Sequence, residues 1–280
     1  MIVIRHKVTG EPLLEIQGDS LAGASLPRAV LLYADLRGAD LSGAFLRGAD
    51  LCQADLREAR LDRCNLTEAD ITLSNLTGAS FRHATLADAR LQAVNLETEG
   101  PAGTDFQGAE LTRVNLKNSN LTGANFADAE MRRIDLTHCN LSWSVLAGAN
   151  LTEANFGFSN LRGANLSYAM LLSALFTDVD LRGANLRHAE LSMAVLNGVQ
   201  LAEADLAHTH LSRSVITRCR DLHQALGLDR MDYLSPSSVD LETLRHCMAG
   251  LDDELLQGLG LEPPETEELR ALFGVRPGAH

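Results

Sequence analysis

The side chains best suited to hold a metal ion are three neighbouring histidines, His188, His208 and His210, with Asp205 beside them. Imidazole and carboxylate are the usual ligands of zinc. His208-Thr209-His210 is not a specific metal motif, however, and no second pair of ligands accompanies it at fixed spacing. Nucleophilic catalysis has less to build on. Ser and Thr are frequent, but no Ser-His-Asp order or strained nucleophile elbow stands out. Glycines recur at intervals of five and form neither a phosphate-binding loop nor a dinucleotide fingerprint. Arg113, Arg132 and Arg133 cluster, yet Glu110 and Glu130 are interleaved with them, which describes a paired, solvated face and not a nucleic-acid track. The chain is therefore read as a non-enzyme, with no cofactor, no catalytic or metal-binding residues and no direct nucleic-acid or membrane contact.

These residues must be positioned by a repeat. From Leu21 to Ile216 a large aliphatic or aromatic residue returns every fifth position. Two positions before it sits a small residue, usually alanine, and between them mostly Asp or Asn, as in Ala39-Asp40-Leu41, Ala124-Asn125-Phe126 and Ala164-Asn165-Leu166. Steps of five carry side chains around every face of an α-helix and to alternate faces of a strand, so neither element buries them together. Short extended pieces joined by a corner once per five residues do. Glycines such as Gly38, Gly43, Gly78 and Gly183, two residues after the large one, suit a corner with unusual backbone angles.

This pattern resembles the pentapeptide-repeat family, whose unit is A-(D/N)-L-x-x. The resemblance implies an all-β solenoid, a right-handed, four-sided parallel β-helix with four pentapeptides per coil. It also implies inward small and large residues, and three outward positions per unit. About ten coils, stacked at the usual strand spacing, would form a rod about 48 Å long, with caps required at both ends.

The organisation read from the sequence has three parts. Residues 1–18, with a turn at Thr9-Gly10-Glu11-Pro12, form a β-hairpin cap that should cover Val30, Leu32 and Tyr33. Residues 19–220 form the repeat. Residues 221–280 form a helical tail in which Asp240 and Asp252 precede helical patterns and a last short helix ends at Gly274. The string from Tyr233 to Leu261 is similar to a tail found after many bacterial pentapeptide arrays. One lapse falls at 97–105, where Glu99 and Pro101 occupy inward slots. With Glu97 they mark a candidate loop that rejoins in phase.

No apolar run approaches a membrane-spanning length, and the N-terminus has too short an apolar stretch for a secretion signal. Five cysteines form no CxxC pair, and Cys64, Cys139 and Cys219 fill the small inward slot. That usage points to a reducing cytoplasm. The net charge of −13 sits largely in the tail: residues 221–280 carry 12 acidic and 4 basic side chains, against 23 and 18 in residues 19–220.

Candidate interaction residues follow from the outward positions. Leu175, Val195 and Val215 fall in one column twenty residues apart, where Asp or Asn is usual, with Met170, Leu172 and Met193 nearby. Such a column needs a cover. The tail helices folding back over it are the expected one, and a dimer or partner interface the competing one. Trp143, Phe158 and Tyr168 are outward aromatics that can anchor a partner. The leading functional reading is a non-catalytic protein–protein interaction or scaffold module with an unidentified partner. The alternative, implied by the quinolone-resistance members of the family, is a DNA mimic that protects or inhibits DNA gyrase or topoisomerase, with a homodimer through the C-terminal region lengthening the rod. Charge weighs against mimicry, since 48 Å of B-DNA bears roughly 28 negative charges and the repeat region balances most of its acids with arginines.

Overall fold

A computed structural model describes residues 1–95 and 103–275. Its organising unit is a turn closed by the large residue of each repeat. The Leu21 carbonyl accepts the Ala24 N–H at 3.0 Å, the Leu46 carbonyl the Ala49 N–H at 2.9 Å, and the bond recurs along the chain. The second residue inside the turn lies near φ +60°, as at Gly43 (67°), Arg63 (57°) and Glu153 (60°). Type II turns need this conformation at that position. Glycine adopts it freely, whereas other residues pay about 1–2 kcal/mol. Most corners nonetheless carry a non-glycine residue, so the strain is offset by what the turn achieves: inward burial on both sides of it and main-chain bonds to the neighbouring coils.

Those bonds make a parallel ladder with a step of twenty residues. Val30 pairs with Asp50, Asp50 with Asp70 and Asp70 with Arg90, and four such columns run side by side, one for each repeat in a coil. Leu31 N–H donates to the Asp50 carbonyl at 2.7 Å, and Asp50 N–H to the Ala29 carbonyl at 2.9 Å. The outward Asp and Asn brace the corners. Asp50 Oδ1 accepts the Cys52 N–H and Asp70 Oδ1 the Thr72 N–H, both at 3.0 Å, the local side-chain-to-backbone bond for which these residues are favoured in turns.

The interior is continuous from the first coil into the tail. Leu31, Leu41, Leu51 and their successors are fully buried, and each contributes about 1.5–3 kcal/mol of transfer energy. Phe81, Phe106 and Phe126 stack with centroids 4.8 and 5.0 Å apart, and Phe156 on Phe176 at 4.9 Å. At most of the polar small slots the side chain bonds the main chain, Ser144 being an exception. Ser74 Oγ donates to the Leu51 carbonyl at 2.7 Å and Cys64 Sγ to the Leu41 carbonyl at 2.8 Å.

Across the lapse the ladder steps by twenty-five, pairing Ser80 with Asp105 and Asn95 with Asn120. The beat of five persists while the coil takes in five extra residues. Plain twenty-residue counting across residues 96–104 therefore misplaces side chains by one column.

At the N-terminus, β1 (Ile2–His6) and β2 (Pro12–Ile16) form an antiparallel hairpin, and β1 also pairs with β3 (Ala34–Asp35). Ile4 is buried over the first coil, and His6 lies against Tyr33 with ring centroids 5.2 Å apart. The expectation that the hairpin covers Val30 fails, since Val30 remains 68% exposed.

Near the other end, β4 (Leu175–Thr177), β5 (Val195–Asn197) and β7 (Val215–Thr217) stack in parallel, with β6 (His210–Ser212) on the adjoining side. The tail continues the same ladder: β8 (Asp232–Ser235) on β6 and β9 (Ser238–Val239) on β7. Helices α1 (Leu241–Cys247), α2 (Asp253–Gly258) and α3 (Pro263–Phe273) follow. Asp240 and Asp252 accept the Thr243 and Leu255 N–H groups at 2.9 and 2.7 Å, capping α1 and α2, and Gly274 ends α3 at φ 70°. Leu244, Cys247, Met248, Leu251, Leu255 and Leu256 are buried, so the tail closes the end of the core.

Candidate interaction surface

One column of outward residues reads Asn155, Leu175, Val195, Val215, Ser238. Asn155 Oδ1 still accepts the Gly157 N–H at 3.0 Å. Leu175, Val195 and Val215 have no acceptor to offer, and in their coils the tight corner opens into the three-residue strands β4, β5 and β7. β-Branched and aliphatic side chains fit that pleated surface. Leu175 is 43% exposed, Val215 37%, and Val195 is half-buried between them.

The tail helices do not fold back over this column, contrary to the sequence expectation. Their apolar faces are used at the rod's end, and β9 extends the column, with Ser238 paired to Val215. Met193 (48% exposed) stands on the corner beside it, Leu172 is half-buried at that corner, and Met170 (44%) lies on the adjoining side.

The outward aromatics are spread over three columns. Trp143, Phe158 and Tyr168 all occupy the strained corner position, at φ 61°, 60° and 59°. Trp143 lies over Gly163, where any Cβ would collide with its ring, and borders a groove lined by Arg162, Arg182 and Glu203. Tyr168 stacks on His188 and His188 on His208, at 4.7 and 4.8 Å. Phe158 alone adjoins the apolar column, on the corner that continues through Asp178 and Gly198 to Arg218; it stacks on His138 at 5.0 Å.

The stacking of His188 on His208 turns their faces, not their nitrogens, toward each other, while His210 lies 3.7 Å from Asp232. Among the described residues no group of three or more His, Cys, Asp or Glu side chains is arranged to hold a metal ion. Burial pushes the thiols of Cys64 up to about 11 and of Cys139 and Cys219 up to about 12, so they stay protonated and unreactive. Glu97, Glu99 and Pro101 of the candidate loop lie outside the described residues.

Acids along the rod are widely paired with arginine. Arg37, Arg57 and Arg182 each hold the Asp two residues earlier, and these guanidinium hydrogen bonds keep Asp35, Asp55 and Asp180 below the usual carboxylate range. Arg133 binds Glu153 at 2.7 Å and Arg113 binds Asp88 at 2.6 Å. The sequence reading placed Glu110 and Glu130 among these arginines and specified none of the pairs, and one of them spans two coils: Arg218 reaches over Gly198 to Asp178 at 3.3 Å. Its signal was a separation of two ladder steps with a glycine between.

A solenoid whose corners are braced by Asp and Asn and whose interior repeats every five residues defines the class of this molecule. The chain belongs to the pentapeptide-repeat family: the model of Pentapeptide repeats matches residues 20–97, 102–137 and 139–213 in overlapping segments, 8 copies in all. The family fold is the right-handed β-helix. Among solved structures, a trypsin-treated variant of QnrB1, a plasmid-mediated fluoroquinolone resistance protein, is similar at 20% identity and a TM-score of 0.60, over 74% of this chain and 96% of that one. Full-length QnrB1 is similar at 19% identity and 0.55, over 72% and 95%. HetL, a protein involved in heterocyst differentiation regulation from the cyanobacterium Nostoc sp. strain PCC 7120, is 26% identical over 78% and 90%, with a TM-score of 0.33. No curated protein matches the chain's sequence significantly. No helix among the described residues is long and apolar enough to cross a membrane.

Proposed function

We propose that this protein is a non-catalytic interaction module, a four-sided rod of about ten coils that docks a protein partner on the face carrying Leu175, Val195 and Val215. The observation that carries this reading is the exposure of those residues at positions elsewhere given to corner-bracing Asp and Asn. A contiguous apolar strip loses water on docking, and a rigid β surface gives up little entropy in doing so. The cytoplasm is the expected compartment, given the free, buried thiols. The test is affinity capture from a lysate of the source cells with the wild type and Leu175→Asp. A partner held by both proteins equally would remove this face from the reading.

A second reading is a DNA mimic acting on gyrase or topoisomerase, supported by the fold shared with the fluoroquinolone resistance protein QnrB1. Its weakness is electrostatic. The pairs Arg37–Asp35, Arg57–Asp55, Arg82–Asp105, Arg187–Asp205 and Arg218–Asp178 neutralise acids that a mimic would present. Gyrase supercoiling with and without a fluoroquinolone decides it. Neither protection nor inhibition at micromolar protein is the outcome expected here, and either effect would put mimicry first.

A further inference from the structure

The apolar face also states what covers it. Its three columns are known coil by coil from the ladder. The central one runs Asn155, Leu175, Val195, Val215, Ser238. One corner carries Ser173, Met193 and Arg213, and the other Phe158, Asp178, Gly198 and Arg218, each set spaced by twenty residues at corner positions of successive coils. Beyond Arg218 the ladder pairs Ile216 with Val239, which brings Leu241, at the start of α1, to the next step of that second corner.

We propose that a second copy of this chain covers the face, antiparallel, with a twofold axis crossing the rod at the level of Val195. This inference rests on the reading of the face as a docking surface and names its occupant. Under that symmetry each residue meets the one equally far beyond Val195 in its own column. Val195 meets Val195 and Leu175 meets Val215. Asp178 meets Arg218, twice. Phe158 and Leu241, 55% and 63% exposed and otherwise unexplained, meet each other at both ends of the contact. Asn155 meets Ser238, a polar pair at the rim.

Charge selects this orientation over the parallel one. With the axis along the rod, Arg213 on one corner would face Arg218 on the other, and like charges oppose association. In the antiparallel arrangement Arg213 faces Ser173. The pair Asp178–Arg218 already spans two coils within one chain across Gly198. A second copy adds the same two charges in reverse order, so four alternating charges close into a ring. A patch that is its own complement under a twofold is the signature of an isologous dimer.

Sedimentation equilibrium on the full chain tests this. The wild type is expected to be a dimer, and Val195→Asp a folded monomer with self-affinity weakened at least roughly 100-fold. Asp178→Arg and Arg218→Asp each place like charges opposite one another twice and are expected to be monomers. Mixed, they restore both pairs between chains and should form a one-to-one heterodimer, which an ion pair confined to one chain would not produce. Circular dichroism confirms that each variant keeps its fold. A mixture that stays monomeric overturns the antiparallel register. A monomeric wild type overturns self-association, yet leaves the docking reading standing if Val195→Asp abolishes capture of another protein. A dimer indifferent to Val195→Asp overturns this interface.

Discussion

The same outward column tells two stories along the rod. In the early coils Asp50 and Asp70 accept the N–H two residues on and hold a tight corner. In the late coils Leu175, Val195 and Val215 leave that corner open, and the backbone runs as strand. The interior beneath is alike in both, with Leu51, Ile71, Phe176 and Leu196 all buried. Inward residues thus set the fold, while outward residues set local backbone geometry and surface chemistry almost independently. The coil tolerates either kind of corner because the ladder bonds persist across both.

The comparison is best broken from the inside. Phe106→Ala removes the middle ring of a three-ring stack, and an uncollapsed cavity there should cost about 3–5 kcal/mol, read as a lower midpoint in urea. Exchanging the outward columns should cost much less. Asp50→Val with Asp70→Val deprives two corner N–H groups of their acceptors, at about 0.5–1.5 kcal/mol each. It also builds a second apolar strip, so new self-association in sedimentation is the more visible outcome. The reverse exchange, Val195→Asn, should change stability by less than about 1 kcal/mol while abolishing self-association.

Acid sharpens the same contrast more gently. Arg57 holds the Asp55 carboxyl below its ordinary value through hydrogen bonds, and the Asp55 side chain is only 13% exposed. A lowered folded-state pKa stabilises the protein above the unfolded value of about 3.9 and loses that contribution as pH falls through the folded value. Melting temperatures of the wild type and Asp55→Asn should therefore differ by a constant amount at neutral pH and converge below about pH 4. The smallest effect is chemical. Native protein treated with a thiol alkylator should modify Cys52, the half-buried one, and spare Cys64, Cys139 and Cys219 until it unfolds, as peptide mass mapping would show.

Much of this was legible in the sequence because the repeat leaves little freedom. A residue such as Leu141 or Ala164 has one role, and its spacing declares it. The Asp240 and Asp252 caps were equally plain, since an acid before an apolar helical pattern has few other uses. Three features were not legible. The five extra residues between Asn95 and Asp105 preserve the beat of five, so nothing in the pattern reveals that the columns shift. The tail's apolar residues satisfy either a folded-back helix or an end cap, and only the continuation of the ladder through Ser238 and Val239 separates the two. Glycine is the natural corner residue on conformational grounds, yet Trp143, Phe158, Tyr168 and many others adopt the left-handed backbone, because the surrounding turn dictates it. The outward placement of Leu175, Val195 and Val215 was legible in the spacing; the approach of Arg218 to Asp178 needed coordinates.

The uniform ladder has a mechanical corollary. A chain pulled from its ends surrenders structure in whole coils, since the main-chain ladder among the described residues joins each coil to the adjoining ones. Each twenty-residue step should release roughly 70 Å of contour, and the single twenty-five-residue step roughly 85 Å. In an optical trap the molecule would lengthen in near-equal jumps with one longer jump among them, a barcode that locates the irregular coil without any label.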